Sequence, residues 1–287
     1  KDWDKYATDQ FVERDFFRNI KSFFSINIFR QKDVYALALR LISTKIPEPE
    51  KLGVPQSVID LYKLKRGLVL VTGPTGSGKS TTLAAIIDKI NKNRDAHIIT
   101  LEDPIEYMHT HNKSIVNQRE VGQDTLSYAN ALRAALREDP NVILVGEMRD
   151  LDTIETALTA AETGHLVFGT IHTNSASDAV DRIVDVFPEE RQRQIRLQLS
   201  MSLKAVLSQQ LLKKQGGGRV AACEIMIVDH AISNLIREAK TPQIRNALAT
   251  GAELGSITME NAVAKLLREG TISKEVADKL NQLLVPN

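Results

Sequence analysis

The chain reads Gly73-Pro74-Thr75-Gly76-Ser77-Gly78-Lys79-Ser80 at the point that decides its fold. This stretch matches the pattern G-x-x-x-x-G-K-S in full. An apolar run, residues 68–71, comes directly before it, and a helix-forming run, residues 81–87, comes directly after it. A strand, a glycine-rich loop and a helix in this order are typical of a true phosphate-binding loop.

The chemistry of such a loop assigns a role to each of its parts. Glycines let backbone N–H groups turn toward phosphates, which also lie at the positive end of a helix. Lys79 is expected to reach the β- and γ-phosphate oxygens, and the Ser80 hydroxyl is expected to hold Mg²⁺. The sequence therefore predicts an ATP site with Mg²⁺. Its predicted nucleotide contacts are Gly73, Pro74, Thr75, Gly76, Ser77, Gly78, Lys79, Ser80 and Thr81.

Composition excludes several classes of protein. The 287 residues carry a formal net charge of +1 and 5% aromatic residues, so neither a global positive field nor a base-stacking platform favours nucleic acid. No apolar run approaches the roughly 18 residues of a membrane span, and no signal peptide opens the chain. A single cysteine, Cys223, excludes an internal disulfide framework and a four-cysteine zinc site. We expect a cytoplasmic protein that is not inserted in a membrane.

The pattern of the chain predicts three parts. Residues 1–50 read as the end of an N-terminal domain plus a linker, because apolar residues alternate over 24–41 as in two antiparallel strands, and prolines follow. Residues 51–229 read as an α/β core with a mostly parallel sheet covered on both faces. Residues 230–287 read as a helical appendage, since no further strand is evident.

The elements of the core follow from continuous apolar runs and helical periodicity. The predicted strands are 68–72, 97–101, 142–146, 165–170 and 219–227, and the predicted helices of the core include 128–137, 152–163 and 189–212. In the appendage, the predicted helices are 231–238, 242–250, 258–269 and 273–284.

Acidic side chains follow two of the predicted strands. Glu102, Asp103 and Glu106 come after the second strand, and Glu147 comes after the third. Because ligands of an open parallel sheet bind at the carboxyl ends of its strands, both groups are expected to face the phosphates. Glu147 suits a metal contact, partly through water. Either Glu102 or Glu106 suits the activation of the attacking water.

A histidine follows the fourth predicted strand, in the segment from Gly169 to Ser175. At that edge, His172 could hydrogen-bond a γ-phosphate or respond to its loss. A lone histidine is more often structural, so the residue pattern alone leaves both interpretations open.

Four segments together resemble the PilT/GspE/PilB superfamily of secretion ATPases, and most closely its type IV pilus retraction branch. They occur in the order and at the spacing of that family. The resemblance implies that Glu106 is the catalytic glutamate, Glu147 the Walker B glutamate and His172 the histidine-box residue. It also implies that Glu102 and Asp103 lie in the nucleotide site. The four segments are Gly73–Thr81, Thr100–Tyr107, Leu132–Asp150 and Thr163–Ser175.

The same resemblance implies a fold and an assembly. Members have a RecA-like core behind a PAS-like N-terminal domain, form homo-hexamers, and dock peripherally on a platform protein at the inner face of the inner membrane. They take arginines from the N-terminal region to neutralise the transition state. Candidates here are Arg14, Arg18, Arg30 and Arg40, of which Arg40 is best placed because it precedes the linker. Nucleic acid is not an expected partner.

Other functions stay open at this point. Pilus extension and type II secretion ATPases share the core, but they usually insert a four-cysteine zinc module. This chain has one cysteine and therefore lacks the ligands for such a module. A nucleic-acid motor would need a basic stripe. A non-hydrolysing scaffold is disfavoured by the presence of Lys79, Glu106 and Glu147 together. Two departures from retraction ATPases are Cys223, which we expect to be a small buried residue, and Ser233.

Overall fold

A central sheet organises the part of the chain that this computed structural model describes, residues 23–284. Within those residues it has seven strands, all of them beyond the linker. Two further strands form a separate hairpin at the N-terminal end. The hairpin consists of β1 (Phe23–Gln31) and β2 (Val34–Ile42), and the sheet of β3 (Gly67–Thr72), β4 (His97–Glu102), β5 (Ile115–Glu120), β6 (Val142–Val145), β7 (Leu166–Ile171), β8 (Leu203–Lys213) and β9 (Arg219–Ile227).

The order of strands in the sheet is β5-β4-β6-β7-β3-β8-β9. Every neighbouring pair is parallel except the last, in which β8 and β9 are antiparallel. The strand that leads into the glycine-rich loop, β3, therefore lies inside the sheet between β7 and β8. This arrangement confirms the predicted α/β fold with a mostly parallel sheet.

Strand β3 is buried along its whole length, as the continuous apolar run predicted. Leu68 and Leu70 pack into the core on one face of the sheet. Val69 and Val71 pack into a second core on the other face. Because successive side chains of a strand point to opposite faces, one apolar strand anchors both layers of helices.

The helices cover both faces of the sheet and continue beyond it. Short 3-10 helices span Pro49–Leu52, Asp60–Lys63, Thr241–Gln243 and Ala252–Leu254. The α-helices among the described residues are α1 (Gln56–Ile59), α2 (Lys79–Asn93), α3 (Tyr128–Ala135), α4 (Leu151–Glu162), α5 (Ala176–Asp185), α6 (Glu189–Ser202), α7 (His230–Arg237), α8 (Ile244–Thr250), α9 (Met259–Arg268) and α10 (Lys274–Leu284). Of these described helices, none has the length and apolar character needed to cross a bilayer.

Two elements differ from the sequence-based prediction. The helix predicted over 189–212 ends at Ser202, and β8 begins at Leu203. Short apolar runs fit a helix or a buried strand equally well, and here pairing with β3 and β9 decides the matter. Strand β5 was not predicted, because its sequence Ile-Val-Asn-Gln-Arg-Glu is polar, as the edge position allows.

The predicted N-terminal hairpin is present. Strands β1 and β2 are antiparallel, with Gln31 opposite Val34. The two turn residues, Lys32 and Asp33, both have positive φ (46° and 61°), as a two-residue hairpin turn of this type requires. After the hairpin, the Ser43 N–H donates to the Glu106 carbonyl at 3.3 Å, which ties the start of the linker to the acidic segment after β4.

The C-terminal helices pack on the antiparallel end of the sheet. Met259 and Val263 of α9 share a buried cluster with Val220 and Ala222 of β9. Cys223 lies in the middle of β9 and is 2% exposed, as expected of a small core residue, and burial raises the pKa of its thiol to about 12. The helical segment is thereby attached to the strand pair farthest from the acidic residues.

Candidate nucleotide-binding site

A cleft of about 450 Å³ opens at the carboxyl ends of the parallel strands. The glycine-rich loop forms its floor, and the segments after β4, β6 and β7 form one wall. This is the edge at which open parallel sheets bind ligands. The predicted residues that line the cleft are Thr75, Gly76, Gly78, Lys79, Ser80, Thr81, Glu102, Asp103, Glu106, Glu147 and His172.

The loop has the backbone that phosphate binding needs. Gly73, Gly76 and Gly78 all have positive φ, at 135°, 77° and 91°. Gly73 also has no room for a side chain, because a Cβ there would lie 2.3 Å from the Gln209 carbonyl oxygen. Gly78 is the N-cap of α2, so the first N–H groups of that helix point into the cleft.

A buried glutamine on β8 supports the loop from below. The Gln209 amide donates from Nε2 to the Ser77 carbonyl at 2.8 Å and accepts from Thr82 Oγ1 at 2.9 Å. Gln209 and Thr82 are 1% and 2% exposed. Gln209 was not predicted as a site residue, because the sequence pattern placed it on a helix.

The loop lysine is held inside the loop. Lys79 Nζ donates to the carbonyls of Gly73 at 2.8 Å and Pro74 at 3.1 Å. Burial lowers the pKa of Lys79, while the nearby Glu147 and Glu106 carboxylates act in the opposite direction. The ammonium group is therefore positioned between the loop and the acidic wall, where a terminal phosphate would lie.

The two glutamates after β4 have different surroundings. Glu102 accepts from Thr100 Oγ1 at 2.8 Å and from Gln118 Nε2 at 3.2 Å, and burial raises its pKa. Glu106 lies on the cleft wall, and among the described residues no side chain donates to its carboxylate. Of the two alternatives left open by the sequence, Glu106 has the better surroundings for a base.

Glu147 and His172, which were also predicted to be catalytic, contact each other. His172 Nε2 lies 3.1 Å from a Glu147 carboxylate oxygen, and the same oxygen accepts from Arg149 Nε. The Glu147 side chain is 16% exposed and that of His172 is 42% exposed. The sequence placed Glu147 and His172 at the same edge, and the structure brings them together. Their catalytic roles stay predictions.

The histidine segment is fastened to the neighbouring strands. The Thr173 N–H donates to Thr72 Oγ1 at 2.7 Å, which links the segment to the end of β3. On β8, Ser208 Oγ donates to the Asn174 carbonyl at 3.0 Å. These hydrogen bonds would transmit a movement of His172 to the end of β3, which leads into the glycine-rich loop.

The predicted N-terminal arginines lie elsewhere. Within the described residues, Arg30 and Arg40 lie on the hairpin and do not line the cleft. Arg30 forms an exposed ion pair with Asp33 at 3.3 Å, and Arg40 lies opposite Ser25 on β1. Arg14 and Arg18 lie outside the described residues. A role for these arginines in a neighbouring subunit stays a prediction.

Several residues of the cleft were not predicted. Tyr128 lies beside the acidic residues, and burial raises its pKa. Arg149 follows Glu147 in the segment already singled out, so its position could have been inferred. Leu211 and Arg219 come from β8 and β9 and were not predicted to line the site.

A larger depression, of about 680 Å³, opens at the opposite edge of the sheet. Its lining includes Lys65, Arg94 and His165. Arg94 donates to the carbonyls of Tyr62 and Leu64 at 3.3 Å and 2.6 Å, which is a structural role. This depression lacks the predicted catalytic residues, so the smaller cleft is the candidate site.

Comparison with known proteins agrees with this geometry. The family described as Type II/IV secretion system protein matches residues 36–282. The chain belongs to this family. It is 53% identical to the "Type IV pilus retractation ATPase PilT" of Pseudomonas aeruginosa, over 94% of this chain and 79% of that protein. It is 54% identical to the "Twitching motility protein" of Neisseria gonorrhoeae, over 90% of this chain and 70% of that protein.

A solved structure of the pilus retraction motor PilT with bound ADP is similar throughout. The TM-score is 0.86 at 52% identity, and the match covers 97% of this chain and 83% of the other. The predicted resemblance to secretion ATPases and the prediction of a P-loop ATPase are thereby confirmed. The similar proteins and the ADP-bound structure both agree with nucleotide binding at the cleft.

Proposed function

We propose that this chain is a Mg²⁺-dependent ATPase motor that, as a homo-hexamer, powers type IV pilus retraction. The observation that carries the proposal is the single cleft in which a complete phosphate-binding loop faces Glu106, Glu147 and His172. Similarity to a pilus retraction ATPase over nearly the whole chain supports retraction, and not extension, of the pilus.

The loop would bind and orient the nucleotide. Backbone N–H groups of the loop and of the first turn of α2 would cradle the phosphates. Lys79, now bonded to two loop carbonyls, would exchange them for β- and γ-phosphate oxygens. Because Gln209 and Thr82 already hold the loop in shape, little reorganisation is needed on binding.

The cleft also fits a magnesium ion. The Ser80 hydroxyl and the Glu147 carboxylate line the same space, and Mg²⁺ prefers few protein oxygens and several waters. These two residues would hold it, Glu147 partly through water. When bound, the ion would neutralise charge on the phosphate oxygens.

The acidic wall would supply the remaining chemistry. Glu106 would accept a proton from the attacking water, as a general base on the open side of the cleft. Glu147 is kept in place by Arg149 and His172. His172 would contact the terminal phosphate. When this phosphate leaves, His172 would move together with the segment that is hydrogen-bonded to β3 and β8.

Assembly completes the proposal. In the hexamer, Arg30 and Arg40 would reach the cleft of a neighbouring subunit, since they do not reach their own. The motor would be cytoplasmic and would dock peripherally on a platform protein at the inner face of the inner membrane. Residues 1–50 would belong to the PAS-like domain and linker, 51–229 to the ATPase core and 230–287 to a helical subdomain.

A second candidate is a motor for pilus extension or type II secretion, because the matched family is described as Type II/IV secretion system protein and is not specific to retraction. Those relatives usually contain a four-cysteine zinc module. This chain has one cysteine, and that cysteine is buried in β9. Retraction is therefore the better supported direction.

Two measurements test the proposal. In an assembled sample, Lys79→Ala should abolish Mg²⁺-ATPase turnover without changing the oligomeric mass, since the phosphates lose their main cation. Turnover that survives this substitution would contradict the ATPase site. In cells, loss of a retraction motor should leave pili present and the cells immobile. Cells without pili would indicate an extension motor instead.

A further inference from the structure

The proposed base, Glu106, lies on a segment without regular structure. Residues 103–109 follow β4 and belong to neither a helix nor a strand. Such segments move unless other parts of the molecule hold them. A general base acts only within hydrogen-bonding reach of the water that it deprotonates, and a misplacement of about 1 Å can lower the rate about 100-fold. The bonds that hold this segment therefore bear on catalysis.

One set of bonds attaches the segment to the edge of the sheet. The Ile105 N–H donates to Glu120 Oε2 at 2.9 Å, and Gln118 Nε2 donates to the Tyr107 carbonyl at 2.9 Å. Glu120 and Gln118 both belong to the edge strand β5. These bonds lead away from the glycine-rich loop and do not fix the distance between Glu106 and the loop.

The linker holds the same segment from another side. The Ser43 N–H donates to the Glu106 carbonyl at 3.3 Å, and the Met108 N–H donates to the Ser43 carbonyl at 3.2 Å. Ser43 is thereby paired with Tyr107, which lies between those two residues. A displacement of the linker would therefore pull Glu106 along with it.

The side chain of Tyr107 connects the segment to the loop. Its hydroxyl shares a hydrogen bond of 2.9 Å with Thr81 Oγ1, in the first turn of α2 and directly after Ser80. Among the described residues, this is the hydrogen bond that joins residues 103–109 to the loop and to that turn. Tyr107 lines a small space of about 30 Å³ beside Ser80 and Glu102, and it does not line the cleft.

We propose that Tyr107 is a positioning residue for Glu106. Its bond to Thr81 keeps the segment at a fixed distance from the loop, so that the Glu106 carboxylate stays within reach of the water beside the terminal phosphate. Without the hydroxyl, Glu106 would follow the linker and not the loop. Tyr107 acts through Glu106 and not on the nucleotide, because it does not line the cleft. The inference rests on the proposed ATPase function, with Glu106 as base, and deepens it.

The test measures Mg²⁺-ATPase turnover and ADP affinity of the full chain in an assembled sample. Tyr107→Phe removes the hydroxyl and keeps the ring, so kcat should fall about tenfold, while KM for ATP and the ADP affinity stay within about twofold. Tyr62→Phe is the matched control, because Tyr62 is also partly buried and does not line the cleft. This control should leave kcat unchanged.

A double variant shows whether Tyr107 acts through Glu106. In Glu106→Gln the base is already absent, so the addition of Tyr107→Phe should lower kcat by less than about twofold. The same tenfold loss in both backgrounds would overturn the proposal, because Tyr107 would then act on another group.

Three further results would overturn the proposal. An unchanged kcat in Tyr107→Phe, together with a large loss in Glu106→Gln, would show that the bond does not position the base and would leave the proposed function intact. A weakened ADP affinity in Tyr107→Phe would show that the hydroxyl shapes the loop. Turnover that survives Glu106→Gln would exclude Glu106 as the base, and the inference would fail together with that part of the proposed function.

Discussion

The floor and the acidic wall of the cleft are built differently. On the floor, Gln209, Thr82 and Ser77 are almost fully buried, and the amide of Gln209 bonds to both of the others. On the wall, His172 and Arg149 are 42% and 76% exposed and hold Glu147 from the solvent side. The floor is thus formed before the nucleotide arrives, whereas the wall is held by exposed side chains that can rearrange when a ligand binds.

The largest effect is expected on the acidic wall. Glu106→Gln removes the proposed base, so kcat should fall on the order of 10²- to 10⁴-fold. The affinity for ADP should change little, because we propose that the floor, and not Glu106, binds the phosphates. ATPase assays, ADP titration and oligomeric mass on the same sample check this.

The neighbouring glutamate sharpens that result. Glu102 is buried and already accepts two side-chain hydrogen bonds, so Glu102→Gln should cost less than about tenfold in kcat. If the larger loss followed Glu102→Gln, the base would be Glu102, and the open position of Glu106 would have another purpose.

A smaller effect is expected on the floor. Gln209→Ala leaves the Ser77 carbonyl and the Thr82 hydroxyl without their partner, and should lower the free energy of unfolding by about 2–4 kcal/mol. ADP affinity should fall with it, because the loop loses its support. Urea unfolding and ADP titration measure the two losses.

The adjacent glutamine provides the control for this substitution. Gln210 is partly exposed and faces the other side of β8, so Gln210→Ala should change both quantities little. Equal losses from the two variants would show that the strand, and not the amide of Gln209, supports the loop.

The smallest effect is expected on stability and concerns Glu224. This residue joins α5, the helix that follows the histidine segment, to the C-terminal helices. Its carboxylate accepts from the Ala176 N–H at 2.7 Å, at the start of α5, and also from the backbone of Met259. Burial, with Glu260 and Asp178 nearby, raises the pKa of Glu224 above its ordinary 4.5.

The sign of the pH dependence follows from this. The folded state keeps the proton to a higher pH than the unfolded state, so rising pH above 4.5 removes stability until the raised pKa is passed. Glu224→Gln keeps an acceptor oxygen and does not ionise. It should be at least as stable as the unsubstituted chain at pH 7, and the difference should close as the pH falls toward 4.5. A difference that widens in acid would show that the carboxylate form stabilises the fold.

The loop, the central strand before it and the acidic residues after the next strands could all be predicted from the sequence. These features depend on local chemistry: glycines with positive φ, a continuous apolar run, and a lysine and serine at fixed spacing. The alternating residues of β1 and β2 likewise predicted the hairpin. The site residues could therefore be named in order along the chain.

The residues on the far side of the loop could be identified only in the folded sheet. Residues 203–213 became a strand because β3 and β9 pair with them, although their apolar pattern also fits a helix. That pairing places Gln209 beneath Gly73 and Ser77, 132 residues away along the chain from the latter. It also brings Leu211 and Arg219 to the cleft. No local pattern predicts such contacts, since they come from strands that meet only in the folded sheet.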